Sequence, residues 1–372
     1  MEKIKVGIDI SPLKNANRFR GVGFYTKNLV EFLQKETKNN KKYSSLKIKI
    51  INEQCSNEAM GQFSLIHYPY FDIFFPTLPK KENMPTVVTV HDLTPLVFPE
   101  HYPAGIRGKI NWLRQKRNLK KTEAIITDSQ KSKQDIVKIV GYPENKVHVV
   151  YLAPSFDPKK FKIENLKLKI KEKYHLPDNF VLYVGDVNWN KNVPGLVKAC
   201  RKIGIPLVIA GKQAVSKDYD QAHPENQDLV WLQKQYQALS TKHQEKEKKL
   251  FLLGFVPEED LAVLYNLATL YCQPSFYEGF GMPVVEAMAC GCPVVCSNQG
   301  SLSEIGGEAV AYFDPYKKGN LEKVLKKVWE DKNLRKELAQ KGLAQAKKFS
   351  WLKCAQETLN VYQGIINNEK TF

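Results

Sequence analysis

The sequence predicts an α/β protein built from two doubly wound domains, each a mostly parallel sheet covered by helices on both faces. Three observations carry that expectation. Short β-branched runs alternate with helical patterns along the chain, which is how a parallel sheet with crossover helices reads. A length of 372 residues is more than one hydrophobic core usually supports. A lysine-rich segment, Lys159 to Lys173, then divides the alternation into two series.

In the first series, strands are expected at Lys5 to Ile10, Leu46 to Ile51, Ser64 to His67, Thr86 to Val90, Ala124 to Thr127 and Val147 to Tyr151. Asn28 to Leu33 belongs to a helix entered through Arg20, Gly21, Val22 and Gly23. In the second, strands are expected at Val181 to Val184, Leu207 to Ala210, Leu250 to Leu253, Leu270 to Cys272, Val294 to Cys296 and Ala309 to Phe313. Gln213 to Lys249 turns polar and reads as a helical insertion on the surface. Trp351, Leu352, Ala355, Leu359, Tyr362 and Ile365 recur at near-helical spacing and predict a terminal packing helix. The expected domains are 1–170, 171–350 and a closing helix over 351–372.

Composition narrows the class. With 43% hydrophobic residues the chain is globular, and no apolar run approaches the roughly 18 residues of a membrane span. The start, MEKIKVGIDI, leads into a strand rather than a cleavable apolar leader, so a cytoplasmic protein is expected. Seven cysteines, an odd number scattered among strands and helices, fit reduced thiols. The formal charge of +17 asks for a negative partner: nucleic acid, anionic lipid or a phosphorylated small molecule.

Open parallel sheets bind ligands beyond the carboxyl ends of their strands, and four stretches qualify. Gly21 and Gly23 open a helix after a basic loop, either as a tight turn or to aim backbone amides at an anion. His91 follows a strand in TVHDLTP, where a histidine can bond a sugar hydroxyl, transfer a proton or serve the fold. Lys191, in VGDVNWNKN, reads either as a solvated lysine of a basic chain or, from its position after a strand, as a point charge for a diphosphate.

The fourth stretch, PSFYEGFGMPVVEAMACGCPVVCSN from Pro274 to Asn298, is the most constrained. Gly279 and Gly281 punctuate a turn, Pro283 suits the first turn of a helix, and Gly291 with Pro293 closes it. Val284, Val285, Ala287, Met288 and Ala289 make that helix apolar on every face, so it is expected to be buried. Glu286 breaks the pattern, and a buried carboxylate must meet a partner or cost several kcal/mol. A hydroxyl-rich group such as a ribose would satisfy it.

Two further patterns carry weaker chemistry. Cys290, Cys292 and Cys296 lack any CxxC pair and read as small core residues rather than a metal site. In IRGKINWLRQKRNLKK, Ile106 to Lys121, apolar residues sit among seven lysines and arginines. That pattern fits a solvated helix face or a helix lying on anionic lipid.

These residues together resemble a retaining glycosyltransferase of family 4, which implies the GT-B fold with two Rossmann-like domains facing a cleft. Its mannosyltransferase-like branch of bacterial polysaccharide enzymes is the nearest match. The resemblance runs through GIDISPL, RGVGFYTKNL, TVHDLTPLVFPEHYP, ITDSQKSKQDI, VVYLAPS, YVGDVNWNKN and the long stretch LLGFVPEEDLAVLYNLATLYCQPSFYEGFGMPVVEAMACGCPVV. Its most specific part is the pair Glu278 and Glu286 with seven residues between them.

The resemblance implies that Glu286 holds the ribose of a nucleotide-sugar donor and that Glu278 lies by the transferred sugar. Amides around Phe280, Gly281 and Met282 would contact sugar and phosphates, and Gly23 would approach the diphosphate. Lys191 would stabilise the leaving group without a metal, and His91 would sit by the donor sugar. The implied reaction moves a hexose, mannose from GDP-mannose first, to a glycan or lipid-linked acceptor; UDP- or ADP-sugars are the alternatives. No cofactor and no nucleic acid are expected, with a location in the cytoplasm or on the inner face of the membrane. Where the family commonly carries an arginine near the lysine, this chain has Asp186 and Asn190, with Arg18, Arg20 or Lys212 to compensate. The rival class is a nucleic-acid-binding protein, which leaves the glycine-flanked carboxylates unexplained.

Overall fold

A computed structural model describes residues 3–51, 61–78, 84–240 and 249–369. The chain divides into two compact units, residues 1–155 with 349–372, and residues 156–348. The first carries strands β1 (Ile4–Asp9), β2 (Leu46–Ile51), β3 (Leu65–Tyr68), β4 (Thr86–Thr89), β5 (Ala124–Thr127) and β6 (Val147–Val149). Its helices include α1 (Gly21–Asn39) and α2 (Gly105–Leu119). All strand pairs are parallel, in the order β2-β1-β3-β4-β5-β6.

The second unit carries β7 (Val181–Val184), β8 (Leu207–Ala210), β9 (Leu250–Gly254), β10 (Leu270–Gln273), β11 (Val294–Ser297) and β12 (Ala311–Phe313). Its helices include α3 (Ile163–Lys173), α4 (Val193–Ile203), α5 (Gln227–Ser240), α6 (Glu258–Leu267), α7 (Met282–Ala289), α8 (Asn320–Glu330) and α9 (Lys332–Ala346). The sheet order β12-β11-β10-β7-β8-β9 is the dinucleotide-fold order, with the reversal between β7 and β10. Central strands are apolar and buried on both faces, as a parallel sheet between helices requires: β8 (LVIA) and β11 (VVCS) have no exposed residue.

The unit boundary falls at Ser155/Phe156, not near residue 170. The expected linker is instead a helix, α3, that belongs to the second unit. Ile170 is buried, and Lys173 Nζ and Tyr174 Oη both donate to Asp260 Oδ2, the latter at 2.7 Å. Lysine content signalled only the solvent side of that helix. The polar stretch 213–249 also differs from a surface insertion, because α5 buries Leu229 and Leu232 in the same core as β7 and β8. Residues 241–248 of it lie outside the described residues.

The last helix, α10 (Trp351–Glu369), belongs to the first unit and packs along α1. Trp351 Nε1 donates to the Pro154 carbonyl at 2.8 Å and Gln356 Nε2 to Glu36 Oε2 at 2.9 Å. Its inward face is Trp351, Cys354, Ala355, Leu359, Tyr362 and Ile366, whereas Leu352 is exposed and Ile365 only half-buried. The expected stripe was therefore out of register at Leu352 and Ile365. Among the described residues, no helix is long and apolar enough to cross a membrane.

Candidate active site

In the second unit, the loops leaving β7 and β10 flank the point where the strand order reverses. They are stitched together. Phe276 N donates to the Asn190 carbonyl at 2.7 Å, Asn190 Nδ2 to the Tyr277 carbonyl at 3.1 Å, and Asn192 Nδ2 to the Pro274 carbonyl at 3.0 Å. Asn192 adopts a left-handed φ of 50° at the start of α4, a conformation asparagine tolerates better than most residues.

That stitching brings Lys191 onto Glu278. Lys191 Nζ donates to both carboxylate oxygens, at 2.9 and 2.7 Å. Glu278 Oε1 also accepts from Gln273 Nε2 at 2.9 Å and from Ser275 Oγ at 2.6 Å. Sequence reasoning missed Gln273 and Ser275. Both are buried polar residues at the end of β10, a position where an uncharged strand would have ended apolar.

Beyond Glu278 the turn is fixed by Ser301, whose Oγ donates to the carbonyls of Glu278 at 3.1 Å and Phe280 at 2.9 Å. Gly281 has φ +93°, and a β-carbon there would meet Leu302 Cδ2 at 2.7 Å, so glycine is required on two counts. Met282 then begins α7, with Pro283 in its first turn. Val284, Val285, Ala287 and Met288 are buried, as expected of the all-apolar helix. Glu286 is buried among them and accepts from Tyr265 Oη on α6 at 3.0 Å. Phe280 is buried in the same turn.

Asn190 and Asp186, where an arginine was expected, are used structurally. Asn190 holds Tyr277, and the Asp186 carbonyl accepts from Tyr183 Oη at 2.6 Å. Lys212 starts the turn after β8, the strand beside β7; Arg18 and Arg20 lie in the first unit. Cys290, Cys292 and Cys296 are buried free thiols, each held by burial well above the usual thiol range.

In the first unit, His91 follows β4 and Asp128 follows β5. His91 Nδ1 lies 2.7 Å from Asp128 Oδ2, while His91 Nε2 and Asp128 Oδ1, both buried, have no well-aligned hydrogen-bond partner among the described residues, the Pro69 carbonyl lying near enough to His91 to favour its charged form. Burial alone would pull the imidazole down, but the Asp128 carboxylate, with smaller contributions from Asp92 and the Pro69 carbonyl, holds His91 above its usual range; burial also pushes Asp128 up. Asp128 was not singled out from sequence, although TDS directly after a strand meets the same positional test as His91. Tyr25 packs edge-on to His91, ring centroids 4.8 Å apart. Below it runs a closed chain: Tyr25 Oη to Thr89 Oγ1 at 2.9 Å, Thr89 Oγ1 to His67 Nε2 at 2.8 Å, and His67 Nδ1 to Tyr362 Oη at 2.6 Å. His67 is fully buried, and desolvation pushes it down to about 3, so it is neutral. Gly23, on α1, is buried where a β-carbon would meet the Asn17 and Arg18 carbonyls at 2.5 and 2.6 Å; the basic loop folds over the helix start and admits only glycine.

The chain is similar to known glycosyltransferases. Residues 166–345 match the family model described as Glycosyl transferases group 1, and residues 44–153 the model described as Glycosyltransferase Family 4. The chain is 32% identical to O-antigen chain mannosyltransferase B of Escherichia coli over 288 residues, 74% of this chain and 70% of that protein. It is 28% identical to the serotype-specific mannosyltransferase WbdA of Escherichia coli over 77% of this chain, a match spanning 34% of the longer protein. Sucrose-phosphate synthase of Thermosynechococcus elongatus has a similar fold, with a TM-score of 0.72 at 17% identity over 98% of this chain and all of that one. The chain is thus a glycosyltransferase of family 4 with the GT-B fold, on the mannosyltransferase-like branch.

Proposed function

We propose that the protein transfers mannose from GDP-mannose to a glycan or lipid-linked glycan acceptor in cell-surface polysaccharide synthesis, with retention at the anomeric carbon. The supporting observation is the Lys191–Glu278 pair at the strand reversal of the second unit, with Glu286 on the helix that follows. Glu286 is assigned to the donor ribose, and Glu278 to the transferred sugar. The amides of Phe280, Gly281 and Met282 are assigned to sugar and phosphates. Lys191 neutralises charge as the carbon–oxygen bond to the nucleoside diphosphate breaks, while the acceptor oxygen bonds the same face of the sugar. Gly23 is assigned to the diphosphate and His91 to the donor sugar. The reaction is proposed to need no divalent metal and to run in the cytoplasm, on the inner face of the membrane. Mannose is preferred because both Escherichia coli relatives are named mannosyltransferases. Nothing in the family membership favours the nucleic-acid reading.

A thermal-shift panel of GDP-mannose and of UDP- and ADP-linked sugars tests the donor, because a ligand that binds only the folded state raises the melting temperature. GDP-mannose is expected to give the largest shift and Glu286→Ala to abolish it. A larger shift from a UDP- or ADP-sugar overturns the donor, and an undiminished shift in the variant overturns the ribose assignment. Turnover lost with a chelator and restored by magnesium or manganese would overturn the metal-free mechanism.

A further inference from the structure

Helix α2 lies in the first unit and takes no part in the sites described above. Its inward face is fully used. Gly108, Gln115 and Leu119 are buried, and Gln115 Nε2 donates to the Asp72 and Phe75 carbonyls and to Thr77 Oγ1, at 3.1, 2.9 and 2.9 Å. Asn111 Nδ2 donates to the Phe74 carbonyl at 2.9 Å, and Trp112 packs on the core of the unit. The helix is therefore pinned to its own domain.

Its outward face is apolar where a solvated helix would be polar. Ile106 is 80% exposed, Ile110 46% and Leu113 55%, at positions i, i+4 and i+7 that make one ridge. Phe75, on the loop that Gln115 holds, is 69% exposed. On an α-helix Arg107 and Arg114 fall to one side of that ridge, and Lys109 and Lys120 to the other. Between Gly105 and Lys121 there are seven basic residues and no acidic one.

We infer that α2 and Phe75 form a docking surface for an anionic lipid bilayer, with Ile106, Ile110 and Leu113 entering the headgroup boundary and the flanking cations meeting lipid phosphates. An apolar ridge between two basic rows has the form of an interfacial helix. Charge selects the occupant: a second copy would bring the same seven basic residues against these, on a chain of net +17. The inference stands independently of the donor assignment.

Cosedimentation of the full chain tests it, with vesicles of phosphatidylcholine alone and of phosphatidylcholine mixed with phosphatidylglycerol. The chain is expected to pellet with the mixed vesicles and to be released by high salt. Ile106→Ser/Ile110→Ser/Leu113→Ser is expected to weaken partition by about tenfold or more while the chain still unfolds cooperatively, at a melting temperature above that of the binding assay. Arg107→Gln/Arg114→Gln should weaken binding and flatten its salt dependence. Undiminished binding by the triple serine variant, or equal pelleting with neutral vesicles, overturns the inference. So does a dimer in sedimentation velocity that the serine variant dissolves, which would give the ridge to a second copy.

Discussion

Each unit presents a hydrogen-bonded pair of titratable side chains at the carboxyl end of its sheet, and the two pairs differ in how completely they are satisfied. Glu278 in the second unit accepts from Lys191, Gln273 and Ser275. Asp128 in the first unit meets His91 through one oxygen, leaving Asp128 Oδ1 and His91 Nε2 buried without a well-aligned partner among the described residues. Buried polar atoms are nearly always hydrogen-bonded, so the less saturated pair is the exception of the two. The contrast separates two tasks. A carboxylate with several donors is fixed in one orientation, whereas an imidazole with one well-aligned partner keeps hydrogen-bonding capacity to spare.

The largest effect should come from stripping the satisfied pair. Lys191→Met leaves Glu278 with Gln273 and Ser275, so the loop is expected to hold, but the cation proposed to meet the leaving diphosphate is gone. Turnover is expected to fall by about 100- to 1000-fold, with donor affinity by calorimetry changing far less. A variant that loses donor affinity while keeping turnover would show that Lys191 serves binding, and the contrast between the two pairs would no longer be one of catalytic task.

The next effect asks whether the openness of the first pair is confined to His91. Directly beneath it, Tyr25, Thr89, His67 and Tyr362 form a closed chain that ties the last helix to the sheet. Tyr362→Phe removes the hydroxyl from a fully buried imidazole and should cost about 1–3 kcal/mol, read as a lower denaturant midpoint at unchanged slope. No loss of stability would mean that this layer tolerates unpaired groups as readily as the layer above, and the orphaned atoms would lose their significance.

Much of this was legible in the sequence. All twelve expected strands are present, because β-branched runs bounded by polar turns have few other uses in an alternating chain. The turn and helix from Gly279 to Gly291 were readable residue by residue, since glycine and proline state their backbone demands directly. What was not legible depends on pairing at long sequence separation. Asn190 reaching Tyr277, Gln273 turning onto Glu278 and Tyr362 closing on His67 are polar contacts that no local pattern encodes. The α3 boundary was missed for a related reason: its buried side is mostly Ile170 and a contact with Asp260, and lysines dominate the composition.

The smallest effect isolates the charge on His91. A histidine held above its usual value of about 6.5 adds stability that is fully present below that pH and lost as pH rises through the folded value. His67, pushed down to about 3, has the opposite sign: its contribution is present above about pH 6.5 and is lost as pH falls toward 3. The two histidines lie in one unit and partly cancel, so a single pH profile of the wild type would mislead. Asp128→Asn removes the largest of the influences that raise His91 and leaves burial opposed only by Asp92 and the Pro69 carbonyl, so the contribution of His91 is expected to shrink or change sign while His67 keeps its own. Denaturant unfolding on either side of pH 6.5 should therefore show the variant losing more stability on acidification than the wild type, by about 1 kcal/mol. If the two lose stability in parallel, Asp128 does not set the charge of His91. The open pair would then be a neutral hydrogen bond, differing from the Lys191–Glu278 pair in kind as well as in saturation.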